Sequence, residues 1–375
     1  MTIFFVTSSR IPSERAYGYA IMKLCEEWGR AGHAVRLVVG DRKYGPQNDA
    51  WTYYGLERTF EIENLPASDL LGAGTTLSRL RFLFDLAGYA LSLRRFRFPS
   101  DAVVYTREYL LGLVLPKKNL FIEMHTVPEG NFLLRRALLR ARGIIAISAG
   151  VQGALVQIGV DKQKILVAHD GVDLAAFGEA KRDKRVWREF GIHPEQFIVL
   201  YTGHFYEWKG ADTLAKAARL LPKNVHVVLM GGIDEELAQF QKEYAGEHIS
   251  ILPHQPKTRI PMFIKSADVL VLPNSAKAEI SRSHASPLKL FEYMASGVPI
   301  VASNVPSLRE ILTDEAAFFF NPDDEAGLAS AIVDVLEKTE TASKKAHFAY
   351  TKVHGYTWAS RADSIAAFLR AQIAS

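Results

Sequence analysis

The chain has 375 residues, 48% of them hydrophobic and 23% charged, with a net charge of +4. That length exceeds what one hydrophobic core usually serves, so two domains are expected in an ordinary globular composition. The mild positive charge suits an anionic small molecule or an anionic membrane surface better than nucleic acid. The single cysteine, Cys25, rules out an intrachain disulfide and points to a reducing compartment. It falls in an apparent helix, where a buried small hydrophobe is expected. The opening MTIFFVTSSRIPSER reads as a buried strand, without the basic region and cleavage site of a signal peptide. No apolar run approaches the roughly 18 residues needed to span a bilayer, so a cytoplasmic location is expected.

Short runs rich in Val, Ile and Phe alternate with helical stretches, the pattern of parallel sheets with helical crossovers. In the first half, strands are predicted at 3–7, 34–39, 102–106, 120–123, 143–147 and 164–167. A helix is expected from about 17 to 30, stopped by Gly32. Two arginine-rich stretches, 77–98 and 133–143, could touch an anionic membrane peripherally and so favour a lipid-linked acceptor. On a helical projection, however, 77–98 is closer to a partly buried helix with solvated ends. The charged, glycine-marked segment 176–196 reads as the domain boundary, giving domains 1–178 and 179–354. The second series has strands at 198–202, 226–230, 249–252, 269–272, 299–302 and 317–320, and a last amphipathic helix closes the chain. No repeat or low-complexity tract interrupts this order.

Doubly wound sheets bind ligands at the carboxyl ends of their strands, so the following loops should carry the chemistry. In HASPLKLFEYMASGVPIVAS (284–303), Ser286 is a good N-cap, with Pro287 at the first helical position and Gly297 at the helix end. The amides of Leu288 and Lys289 would then form an anion site, with the Lys289 cation placed against the helix dipole. Glu292, one turn deeper, could take a ribose diol. A well-capped surface helix with a solvated Lys/Glu pair has the same spacing. In YTGHFYEWKGADTLAKA (201–217), Gly203 admits a ligand to the backbone and Lys209 offers a diphosphate cation. FIEMHTVPEG places His125 just past a strand, and AHDGVDLAAF turns at Asp170-Gly171.

The order of GVD-x-x-x-F, TGH-x-x-x-WKG, SADVLVLPN and SPLKLFEYMASGVPIVAS resembles family 4 of the retaining glycosyltransferases. The resemblance covers nearly the whole chain and implies the GT-B fold, two facing Rossmann-like domains with the active site in the cleft. It implies a nucleotide-sugar donor, UDP- or GDP-linked, on the C-terminal domain and a glycan or lipid-linked acceptor on the N-terminal one. Carried over by motif, His125 and Lys209 are catalytic candidates, and His284 joins them by its position. Donor contacts would come from Gly203, His204, Lys209, His254, Gln255, Ser286, Pro287, Leu288, Lys289 and Glu292. Arg15, Tyr17 and Arg107 are the acceptor candidates, and the segment 355–375 is expected to return to the first domain.

This chain departs from the family twice. A Glu usually stands where His284 is found, separated from Glu292 by seven residues, and an Arg often stands at His204. No Asp-x-Asp pair occurs, so no metal or other cofactor is expected; lysines and helix amides would stabilise the leaving diphosphate. The resemblance implies a front-face displacement without a protein nucleophile, in polysaccharide, glycolipid or other glycoconjugate synthesis. His284 keeps a catalytically weak nucleotide-sugar-binding subunit open as an alternative, and a sugar-nucleotide epimerase is a second. A dehydrogenase is disfavoured, because no G-x-G-x-x-G follows the first strand.

Overall fold

The computed structural model describes residues 1–41, 49–67, 78–128 and 130–375. They form two compact units, Met1–His169 with Trp358–Ser375, and Asp170–Thr357. Each is a wholly parallel sheet flanked by helices, the Rossmann-like layering expected from the alternating pattern.

The first unit contains β1 (Thr2–Thr7), β2 (Ala34–Asp41), β3 (Glu61–Pro66), β4 (Val103–Thr106), β5 (Leu120–Met124), β6 (Gly143–Ala146) and β7 (Ile165–Val167). Their order across the sheet is β3-β2-β1-β4-β5-β6-β7. Both faces are covered, so the central strands are continuous apolar runs. In β1, Phe4 and Val6 enter one core while Ile3 and Phe5 enter the other. The strand β3 has no counterpart among the predicted ones. It is an edge strand reading EIENLP, only partly buried, so neither an apolar run nor a clean alternation marks it. Its acids Glu61 and Glu63 pair with Arg36 of β2.

The second unit contains β8 (Phe197–Thr202), β9 (Val225–Gly232), β10 (Ile249–Pro253), β11 (Val269–Leu272), β12 (Ile300–Ser303) and β13 (Phe318–Phe320), in the order β10-β9-β8-β11-β12-β13. The division between units falls at His169/Asp170, earlier than the expected 178. Val172 and Phe177 are buried in the second unit's core, so the stretch that precedes the charged segment already belongs there. That segment is no open linker. Its helical turn Lys184–Phe190 buries Trp187 completely, and the indole N–H donates to Ser266 O at 2.9 Å. High surface charge hid one anchoring aromatic.

The first unit closes with the helix Trp358–Ala374. Ala362, Ile365, Ala366 and Leu369 recur at the spacing of one helical face and enter the core beside Trp28. Trp28 Nε1 donates to Ala362 O at 3.0 Å, tying this helix to the helix Ala16–Arg30. Residues 355–357, expected with the closing helix, stay in the second unit, where Thr357 bridges Val172. Among the described residues no helix is long and apolar enough to cross a membrane. Residue 77, which opens the first arginine-rich stretch, lies outside the described residues. From Leu86 onward that helix (Ser78–Arg95) buries Leu86, Tyr89 and Leu93 and exposes Arg94 and Arg95, the partly buried arrangement its projection suggested.

Ile365 is fully buried and Ser364 beside it is exposed. Ile365→Ala should lower the unfolding free energy by about 2–5 kcal/mol through transfer and cavity terms. Ser364→Ala should stay within about 0.5 kcal/mol, and denaturant titration of both variants checks the contrast.

Candidate functional site

At the carboxyl end of β8 the chain leaves the sheet at Gly203, with φ +128, a conformation side chains rarely adopt. Gly231, near the end of β9, has φ +132, and a methyl there would stand 2.9 Å from the Gly203 backbone. Two strand ends thus meet with bare backbone. A methyl on Gly203 would lie 3.5 Å from Lys289 Nζ, so this loop passes close beside that ammonium.

Lys289 sits in the first turn of the helix Leu288–Ser296. Pro287, in extended conformation, takes the capping position, and no side chain caps this end. Ser286, expected to be the cap, instead has its Oγ accepting from Asp170 N at 3.2 Å, because the helix starts one residue later than the sequence suggested. The amides of Leu288 and Lys289 therefore open the helix without intrahelical partners of their own.

The Lys289 side chain is not solvated. The residue is 8% exposed, and its Nζ has no hydrogen-bond partner among the described residues. The ammonium lies 3.6 Å from the Tyr201 ring centroid. Burial drives its pKa well below the lysine range, Lys209 pushes the same way, and Glu292 opposes. Glu292 is also buried, and its Oε1 accepts from Lys257 Nζ. The solvated Lys/Glu pair that the spacing allowed is therefore excluded on both counts.

Lys209 lies before the helix Ala211–Ala217, its ammonium 5.2 Å from the ring centroids of both Tyr206 and Trp208. Burial lowers its pKa to about 8 against the pull of Glu236. His204 is buried and stacked on Tyr206, with Nδ1 3.2 Å from Glu236 Oε2. The same carboxylate accepts from Phe205 N at 2.9 Å, so Glu236 fixes the loop that carries Lys209. In the HQP loop after β10 (residues 254–256), His254 N donates to Gly232 O, and buried Gln255 accepts from Arg259 at 3.2 Å. His284 ends a short π-helical turn, Ile280–His284; it is buried, and burial lowers its pKa.

The first unit holds a second cluster, at the carboxyl ends of β4 and β5. His125 Nε2 is 2.7 Å from Glu123 Oε1, and Arg107 Nη2 is 3.1 Å from His125 Nδ1. Glu123 is fully buried; Arg361 Nη2 meets its other oxygen at 2.9 Å, and Tyr105 OH donates to it as well. Burial alone would raise the Glu123 pKa, yet Arg361, Arg107 and His125 outweigh it and hold the carboxyl well below its usual range. Two candidates chosen for different roles, His125 and Arg107, are thereby brought onto one carboxylate. Arg15 is exposed at the start of its helix, and Tyr17 is half-buried with its OH 3.3 Å from Ser13 Oγ. Nearby, Glu108 accepts from Thr7 Oγ1 at 2.6 Å and from Ser8 N at 2.8 Å, fixing the turn after β1.

Sequence reasoning missed Glu123, Glu236, Lys257 and Arg361. Glu236 closes the acidic run Asp234–Glu236, which reads as an ordinary helix start, and Arg361 lies far from its partners in the sequence. Lys257 directly follows the HQP loop, and that adjacency was the one available signal.

Comparison with known proteins bears on the family and the fold. Residues 18–176 match the family described as Glycosyltransferase Family 4, and residues 196–338 match Glycosyl transferases group 1. D-inositol 3-phosphate glycosyltransferase of Mycobacteroides abscessus is 29% identical over 215 residues, covering 55% of this chain and 46% of that protein. The Mycolicibacterium smegmatis protein of the same name is 25% identical, covering 65% and 54%. The chain spans about half the length of the curated relatives it matches. Among solved structures, Anabaena HepE in complex with UDP and glucose superposes with a TM-score of 0.74 at 18% identity, covering 98% of this chain and 99% of that one. Sucrose-phosphate synthase from Thermosynechococcus elongatus gives 0.76 at 18% identity, covering 100% and 99%. At such identities these structures speak for the fold alone. The two family matches follow one another along the chain in the order of its motifs, and the protein belongs to glycosyltransferase family 4.

Proposed function

We propose that this chain is a retaining, metal-independent glycosyltransferase that moves a sugar from a nucleoside diphosphate, UDP- or GDP-linked, to an acceptor hydroxyl. The observation that carries the reading is the buried ammonium of Lys289, without a hydrogen-bond partner among the described residues, at a helix start with no side-chain cap and beside Lys209 and the Gly203 loop. Burying such a charge without a partner is costly, and an anion supplies the missing one. Support also comes from Anabaena HepE, whose structures hold UDP or UDP-glucose.

In this proposal the diphosphate takes Lys209, Lys289 and the amides of Leu288 and Lys289, and Glu292 takes the ribose diol on release from Lys257. The bond from the sugar's anomeric carbon to the phosphate oxygen breaks as the acceptor oxygen bonds on the same face. The acceptor proton passes to the departing phosphate oxygen. The two lysines and the helix amides stabilise charge that develops there. His125 and His284 are proposed to contact the transferred sugar, with Arg15, Tyr17 and Arg107 on the acceptor, a hydroxyl of a glycan, lipid-linked or other glycoconjugate substrate.

The direct test uses a panel of nucleotide sugars with defined acceptors. Transfer should continue in EDTA, and NMR should show the donor's anomeric configuration in the product. An inverted product would reject the mechanism, and strict dependence on Mg²⁺ would reject its account of the leaving group.

Lys289→Met separates binding from stability. Replacing a buried, unpartnered charge by a similar apolar volume should stabilise the ligand-free protein by about 1–4 kcal/mol. The same variant should lose the thermal shift that UDP or GDP gives the parent. A destabilised variant that still binds nucleotide would sink the assignment of Lys289.

The lysines also set a pH dependence. Their folded-state pKa values lie below the ordinary 10.5, with Lys209 near 8. Between those limits the unfolded chain holds more protons, so ligand-free stability should rise with pH from about 8 to 10. Nucleotide affinity should fall over the same range, because a bound diphosphate favours the charged lysines. Calorimetry in buffers of different ionisation enthalpy should register proton uptake on binding near pH 8.

A further inference from the structure

The helices Ser78–Arg95, Phe132–Arg140 and Ala149–Gln157 of the first unit all cover one face of its sheet. Leu86, Tyr89, Leu93, Leu134, Ala137, Leu138, Val151 and Leu155 enter the same core beneath them. Their outer sides therefore belong to one layer, and that layer is unusual in two independent ways.

The first is exposed apolar area. Phe132 is 71% exposed, Leu139 82% and Leu91 60%, and Leu133 and Val156 are exposed as well. Eleven large hydrophobics are exposed among the described residues, and these five share a single helical layer. Scattered single exposures need no explanation, whereas a cluster on one layer does.

The second is charge. Arg94, Arg95, Arg135 and Arg136 are all exposed. The only acidic residue in the three helices is Asp85, which is buried. Lys117 and Lys118 add exposed cations in the turn before β5, and Arg140 of the middle helix holds the preceding segment through Gly112 O and Leu115 O. The helix Phe132–Arg140 carries Phe and Leu beside Arg and has no acid in its own sequence, which is complementary to a surface that is anionic above and apolar below.

We infer that this layer, centred on the helix Phe132–Arg140, is a docking surface for an anionic lipid bilayer. Phe132, Leu133 and Leu139 enter the headgroup boundary, and the flanking arginines meet lipid phosphates. None of these residues belongs to either candidate site cluster, so docking and nucleotide binding can be read separately.

The test is flotation of the full chain with vesicles of phosphatidylcholine alone or of equal parts phosphatidylcholine and phosphatidylglycerol. The chain should float with the mixed vesicles only, and less in high salt. A basic residue near an anionic surface strengthens binding by roughly fivefold, so R135E with R136E should weaken it at least about twentyfold. Phe132→Ser with Leu139→Ser should also weaken it, chiefly the part that resists salt. Thermal melts and UDP or GDP binding should match the parent in both variants. Equal flotation with both vesicle types, flotation with neither, or parental binding by either double variant would overturn the proposal. A concentration-dependent dimer that the two serines abolish would assign the layer to a second copy instead. Binding of duplex RNA through Arg135 and Arg136 without vesicle binding would assign it to nucleic acid.

Discussion

One ammonium group organises the second unit's candidate site. Lys289 Nζ is withdrawn from water onto the ring of Tyr201 and has no hydrogen-bond acceptor among the described residues. A cation–π contact recovers only part of the hydration it has lost. The surrounding features follow from that placement. The Gly203 loop passes beside it, Gly231 leaves no room for a side chain against that loop, and Pro287 starts the helix without a side-chain cap. Glu292, which favours the charged form, is itself engaged by Lys257. The ammonium is left with a local deficit of hydrogen-bond acceptors.

The first unit solves the opposite problem. Glu123 is as deeply buried, yet two guanidiniums, a phenol and an imidazole all reach it. A fully partnered buried charge is rigid, because breaking any one contact leaves the others undercompensated. Its stiffness is passed to His125, which is held from below by the carboxylate and from the side by Arg107. Arg361 also donates to the carbonyls of Ala168 and His169, so the closing helix fixes the last residues before the chain leaves this unit. A satisfied charge stiffens the one cluster, and an unsatisfied charge leaves the other with an unmet electrostatic demand.

The fold was legible because parallel strands buried on both faces write themselves as apolar runs. Twelve strands could be read off directly, and the exception, β3, lies at an edge where Glu61 and Glu63 pair with Arg36 and no apolar run forms. Glycine and proline turns likewise placed Lys209, Lys289 and Glu292 at strand ends and a helix start. What the sequence could not convey was burial of charge. Lys289 and Glu292 have the spacing of a surface pair, and only the packing of Tyr201 and Lys257 around them removes them from solvent. The unit boundary was misplaced for a related reason. A run of charged residues resembles a linker unless one knows that Trp187 is fully buried beneath it.

The first unit is made of two separate stretches of chain, residues 1–169 and 358–375, with the whole second unit inserted between them. During synthesis from the N-terminus, the core beside Trp28 lacks Ile365, Ala366 and Leu369 until residues 358–375 leave the ribosome. Glu123 likewise lacks Arg361 until then. The second unit is contiguous, and its strands are all available once residue 357 has emerged. The second unit therefore completes its core from one continuous stretch of chain, whereas the unit carrying His125 waits for residues 358–375.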